Sequence, residues 1–208
     1  MTHQPAPAFS RSNGPREAKV VLVGEAYGEQ EDLLKVPFVG WSGYELSKMC
    51  YQAGLVAEPP LEPQKYSNAM LRDWWGRQDL LLTNVFSFRP KDTKIDSLCA
   101  KKAEVGPGYW RQPLGKGGYV LPEYLPELER LREELLAHPR ACVVALGATA
   151  SWALMNQPKI NSVRGVAAGA TLCPGLKVVP TYHPAGVLRN WSWRPIAVGD
   201  LQKVAKRE

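Results

Sequence analysis

The sequence predicts an α/β protein, a three-layer α/β/α sandwich around a four-stranded parallel sheet. Four short aliphatic runs, Lys19–Val23, Leu80–Val85, Cys142–Leu146 and Lys177–Thr181, are apolar almost throughout, as strands covered on both faces are. Stretches with apolar residues at helical spacing separate them. Strands that alternate with helices pair in parallel through right-handed crossovers.

From the N-terminus, residues 1–16 hold Pro, Ser and Asn without periodicity and read as a flexible tail. Residues 17–208 are enough for one α/β domain and short for two. After the first strand, Trp41–Ala53 has helical spacing and stops at Gly54. Pro122–His138 sets Leu125, Leu128, Leu131, Leu135 and Leu136 along one stripe. Ala148–Met155 and Arg194–Lys206 complete the helices. Pro180 makes the last run a short or edge strand, because proline brings no N–H to a ladder. Two stretches fit no element: Val56–Ser67, with Pro59, Pro60 and Pro63, and Glu104–Leu121, rich in Gly, aromatic and basic residues. Loops this long in a compact domain tend to be functional or disordered.

Lys and Arg number 26 against 20 Asp and Glu, a net charge of +6, which favours polyanionic partners. No apolar run reaches membrane-span length and the N-terminus lacks a signal-peptide core. A cytoplasmic protein, bacterial or phage-encoded, is expected, with no membrane partner. Cys50, Cys99, Cys142 and Cys173 are scattered without a CxxC pair, which argues against zinc and, in a reducing compartment, against disulfides. Neither a GxGxxG nor a Walker loop is present, which removes nucleotide-binding Rossmann enzymes.

Ligands of open α/β sheets bind beyond the carboxyl ends of the strands. Those ends deliver the polar loop Gly24–Asp32, then Thr83-Asn84-Val85, the small-residue turn Gly147–Ala150, and Thr181-Tyr182-His183-Pro184. An acidic loop, an amide and an imidazole therefore share one rim.

Those same stretches read GEAYGEQED followed by PFVGWSG, TNVFSFRP, VVALGATA and PTYHPAGVLRN. In that order they resemble the motifs of the uracil-DNA glycosylase superfamily. The likeness is nearest the family numbered four and, within it, the shorter cluster-less version common in phage and prophage genomes. It spans about residues 19–205. It implies a monofunctional base-excision-repair hydrolase that flips uracil out of single- or double-stranded DNA and acts as a monomer.

Carried over residue by residue, Phe38 matches the aromatic on which extruded uracil stacks. Asn84 matches the amide that accepts from N3–H and donates to O4, a pattern cytosine reverses. His183 matches the imidazole facing O2, where negative charge gathers as the glycosidic bond breaks. Glu25, Ala26 and Tyr27 stand at the pocket floor, and Glu25 and Glu31 are the candidate carboxylates for water or the oxocarbenium ion. Tyr27 replaces the family's proline, placed either to crowd C5 of the base or to face solvent. Gly40, Ser42 and Gly43, with Gly147 and Thr149, are positioned to grip phosphates at helix N-termini. Val187, Leu188 and Arg189 hold the place of the minor-groove wedge.

The cluster-bearing branch uses two N-terminal cysteines, a third in the TN…RP segment and a fourth soon after. Here no cysteine precedes Cys50, Phe88 stands at the third place, and only Cys99 lies near a ligand place. One thiolate cannot hold a four-iron cluster, so no cofactor and no metal site are expected, with packing by Phe86, Phe88 and Trp110 in its stead. No lysine matches a nucleophile position, so no lyase step is expected. Two other readings stay open: a DNA-binding or replication-associated module of this fold without catalysis, and a glycosylase for another deaminated or modified base.

Overall fold

In the structure, a computed structural model describing residues 3–139 and 141–206, the main sheet has five strands. The strands are β1 (Val20–Gly24), β2 (Leu80–Asn84), β3 (Cys99–Ala100), β4 (Tyr119–Val120), β5 (Cys142–Leu146), β6 (Ala168–Gly169) and β7 (Lys177–Thr181). The helices are α1 (Glu29–Leu34), α2 (Trp41–Ala53), α3 (Asn68–Gly76), α4 (Pro126–Leu136), α5 (Gly147–Met155), α6 (Ile160–Val163), α7 (Pro184–Arg189) and α8 (Arg194–Ala205). The sheet runs β2-β1-β5-β7-β6, and β3 pairs with β4 in a separate ribbon.

The four sequence-predicted strands form the parallel part of the sheet. The extra strand is the two-residue β6, antiparallel to β7 at the sheet's edge. It pairs only with Lys177 and Val178, so the missing N–H of Pro180 falls beyond the end of that pairing, where proline is tolerated.

Alternation along the strands builds two apolar layers. Val21, Val23, Val143 and Ala145 pack with Leu128, Leu131 and Leu135 of α4 and with Trp152 of α5. Val20, Leu22, Val144 and Leu146 pack with Leu46 and Met49 of α2, Trp74 and Trp75 of α3, and Leu201 of α8. Within the predicted span Pro122–His138, the α-helix begins only at Pro126, after a 3-10 turn over Pro122–Tyr124; proline suits the first turn, where its N–H is not needed.

The residues read as a flexible tail make specific bonds where they are described. Asn13 exchanges both backbone hydrogen bonds with Leu82, at 2.9 and 2.7 Å. Arg11 Nη1 donates to the Ser87 carbonyl at 2.7 Å, and Phe9 N–H to Glu134 Oε1 at 2.9 Å. The segment pairs with the otherwise open edge of β2, which is what an unpaired strand edge favours. Glu104–Leu121, read as a functional or disordered loop, is docked on α5: Arg111 Nη1 donates to the Trp152 carbonyl at 3.0 Å, and Trp152 Nε1 to the Gln112 carbonyl at 2.7 Å. A cation on the last carbonyls of a helix opposes the negative end of its dipole.

Beneath the end of β2 lies a buried ion cluster. Arg130 bonds Glu127 Oε2 at 2.9 Å and Glu134 Oε1 at 2.8 Å, all three on α4. Its Nη2 donates to the carbonyls of Asn84 at 2.5 Å and Val85 at 3.0 Å. Thr83 Oγ1 donates to Glu134 at 2.6 Å and Ser87 N–H to Glu127 at 3.0 Å. Removing one partner of such a cluster strands the others without compensation. Arg130→Ala is expected to cost about 3–5 kcal/mol of stability, read as a lower midpoint in urea unfolding.

Candidate active site

The parallel register sets the strand ends level, with Gly24 opposite Asn84 and Leu146 opposite Thr181. β1 has β2 on one side and β5 on the other, so a crevice opens where the winding reverses. A cavity of about 400 Å³ occupies it, lined among others by Glu25, Ala26, Phe38, Asn84, Gly147 and His183. Ser42 and Arg189 line it too.

Phe38 is held in a left-handed conformation, φ 57°, which a bulky residue adopts only when its surroundings impose it. Trp75 Nε1 donates to its carbonyl at 3.1 Å. Glu31 Oε1 accepts from Val39 N–H at 3.0 Å and Gly40 N–H at 2.7 Å, gripping the turn that follows. The ring then lies 6.1 Å from that of His183, centroid to centroid. Gly24 makes this possible: a Cβ there would sit 2.2 Å from Asn84 Oδ1 and 2.4 Å from Phe38 Cζ. Ring and amide meet over a bare Cα.

His183 caps α7, and its Nδ1 accepts from Ala185 N–H at 3.2 Å. An imidazole that accepts at Nδ1 carries its proton on Nε2. Burial, and then the Arg189 charge, pull its pKa down to about 4. A neutral imidazole with one N–H donor results. Gly147, at φ 88°, lies against it; a Cβ there would be 2.8 Å from His183 Cβ.

Thr149 Oγ1 donates to Glu25 Oε2 in a short hydrogen bond. Desolvation raises the pKa of Glu25, partly opposed by that bond and by Arg189. The carboxylate also meets the first turn of α5, whose N-cap, Leu146, has no side-chain oxygen to offer; the positive end of a helix favours an anion there.

Several sequence-predicted assignments change. Tyr27 is fully buried behind the cavity, its hydroxyl donating to the carbonyls of Arg11 at 2.9 Å and Lys35 at 3.0 Å; it neither faces solvent nor lines the cavity. The N–H of Gly40 is taken by Glu31, and Gly43 packs beneath the Phe38 carbonyl; neither is open to a phosphate as Ser42 is. The Thr149 hydroxyl is committed to Glu25 and the residue is buried. Val187 belongs to the core, whereas Leu188 is 44% exposed and Arg189 is exposed too, so these two, and not Val187, have the exposure a wedge needs. Glu31 is largely buried and lines the cavity, with Oε1 already taken by two backbone N–H groups. Phe88 does pack where packing was expected, against Phe86 at 6.0 Å and Tyr124 at 5.7 Å, but Trp110 is exposed.

Sequence reasoning missed Arg130 and the cavity residues Thr93, Ile160 and Trp193. For Arg130 the signal was present: Glu127, Arg130 and Glu134 recur at three- and four-residue spacing beside the leucine stripe, so they had to turn inward with it.

The cysteines do not fit an iron–sulfur cluster. Cys50 and Cys173 are buried in different apolar layers. Cys99 lies in the β3–β4 ribbon, its thiol pushed up to about 11 by burial. Among the described residues, no group of three His, Cys, Asp or Glu side chains is arranged to hold a metal ion.

The sheet thus presents an aromatic ring, an amide and a neutral imidazole to one cavity, a set able to stack on and hydrogen-bond a planar base. The chain belongs to the uracil DNA glycosylase superfamily, whose profile matches residues 11–202. It is 26% identical over 192 residues to a type-4 uracil-DNA glycosylase of Thermotoga maritima, covering 91% of this chain and 78% of that one. It is 27% identical over 200 residues to the type-4 enzyme of Archaeoglobus fulgidus, covering 93% and 78%.

Because folding holds His183 neutral, the unfolded chain binds more protons between about pH 6.5 and 4. Stability from this group is complete above that window and is lost as pH falls through it. On going from pH 7 to 5, the wild-type protein should lose on the order of 1–2 kcal/mol more stability than His183→Gln. Paired urea titrations at the two pH values measure the difference. In the cavity itself, Gly24→Ala places a methyl against Asn84 and Phe38 and is expected to cost about 1–3 kcal/mol of stability, checked by urea unfolding beside the wild type.

Proposed function

We propose that this protein hydrolyses the N-glycosidic bond of deoxyuridine in DNA, releasing uracil and leaving an abasic site, with no iron–sulfur cluster and no metal. The observation that carries the reading is the convergence of Phe38, Asn84 and His183, from three separate segments, on one cavity. The names of the type-4 relatives support it.

The extruded base stacks on Phe38. Asn84 accepts from N3–H and donates to O4; cytosine offers the opposite pattern and would leave buried polar groups unpaired. As the N1–C1′ bond breaks, its electron pair leaves with the base and charge builds on O2. The Nε2–H of His183 donates to that oxygen without releasing its proton, which a pKa of about 4 permits. Water then bonds to C1′ of the oxocarbenium ion, and Glu25 accepts the water's proton. Desolvation makes its carboxylate a stronger base, and Thr149 orients it.

Oligonucleotides holding uracil, hypoxanthine or a thymine mismatch, incubated and then treated with alkali, test the reading on one gel. Strand scission only at uracil is expected. Binding without scission at any base would point to a DNA-binding module and end the proposal. His183→Ala should slow single-turnover excision on the order of 10²–10³-fold while affinity for abasic DNA holds. Asn84→Ala should lose preference for uracil over cytosine. Pure protein should lack a visible iron–sulfur charge-transfer band and keep its activity in chelator.

A further inference from the structure

We propose that Trp41 and Trp191 are stacking platforms for unpaired bases beside the extruded nucleotide, and that the substrate is single-stranded DNA. The proposal deepens the glycosylase reading and rests on it.

Large indoles left open to solvent mark contact surfaces when they cluster. Trp41 is 66% exposed and Trp191 is 57% exposed. Both adjoin the cavity. Trp41 precedes Ser42, which lines it, and Trp191 falls between Arg189 and Trp193, which line it as well. Contacts of Arg194 link the two segments. Arg194 lies 5.2 Å from the Trp191 ring centroid, and its Nε donates at 2.6 Å to Glu45, one helical turn beyond Trp41 on α2. Its Nη1 donates to Gln52 Oε1 on the same helix at 2.6 Å.

Trp41 is held before any ligand arrives. Trp41 stacks on Tyr66 with centroids 5.2 Å apart and planes 27° apart, and meets Tyr44 edge-on. Tyr66 is itself fixed, its hydroxyl donating to the Val39 carbonyl at 2.6 Å. An indole backed on one side and open on the other offers a base a face without further ordering. Stacking of this kind is indifferent to base identity.

Cations also lie near the rings. Arg189 lines the cavity, while Arg194 and Lys48 both pair with the buried Glu45 and leave one net positive charge among those three. Rings interleaved with cations form the pattern of single-strand binding surfaces. In a duplex the neighbours of the flipped base stay paired and stacked, so they are not free to reach the indoles. A single strand presents them at no such cost.

Trp41→Ala and Trp191→Ala are surface changes that leave both apolar layers intact. With a uracil-containing single strand, each is expected to raise KM by roughly 10-fold and leave kcat within about 2-fold. With the same uracil opposite guanine in a duplex, KM should move far less. Trp41→Tyr, which keeps a ring, should recover most of the loss. Quenching of tryptophan fluorescence by oligothymidine without uracil should weaken in both alanine variants. An unchanged single-strand KM would overturn the proposal and turn attention to a protein partner for these indoles; equal losses on both substrates would overturn it too. Wild-type protein that is quenched by oligothymidine but excises nothing would sink the glycosylase reading and spare the platform.

Discussion

The position of Asn84 depends on the buried guanidinium of Arg130. Arg130 donates to the carbonyls of Asn84 and Val85 while two carboxylates of its own helix hold it. Those carboxylates also reach Thr83, Ser87 and the backbone of Phe9. One buried cluster thus ties α4, the end of β2 and the N-terminal segment into a single block. Buried ion clusters add little net stability compared with a well-packed apolar core, yet they tolerate few alternative arrangements. Here the one arrangement sets Asn84 at the edge of the cavity.

The opposite wall is governed by strain instead. Phe38 sits at positive φ, and three independent contacts oppose its relaxation: Trp75 on its carbonyl, Glu31 on the two following N–H groups, and Gly43 packed beneath. A ring fixed in this way loses little freedom when a base stacks on it. Glu31 thus braces the turn after Phe38 while lining the cavity, and Glu25, joined to Thr149, is a second carboxylate there. At the ends of β5 and β7, Gly147 lacks the Cβ that would collide with His183 Cβ.

The parallel strands, α2, α5 and α8 were legible because each is apolar with the period its geometry demands. The six-residue helices α1 and α7 were not, since so short a run gives a weak period. That Phe38, Asn84 and His183 would gather at one cavity was legible from their place after strands and in motifs. Tyr27, Thr149 and Val187 share those motifs, yet their side chains turn into bonds or into the core. Chain position tells where a backbone goes; it does not tell which way a side chain faces.

By itself the sequence determined the layered α/β sheet, the level at which its strands end and the chemical types gathered there, because hydrophobic period and turn residues act locally. Tertiary structure alone decided which hydroxyls, amides and carboxylates are free and which are already paired. It decided that the N-terminal segment closes the edge of β2 and that two indoles stand open beside the cavity. Those outcomes depend on contacts between residues far apart in the chain, and such contacts exist only once the sheet has brought them within a hydrogen bond's reach.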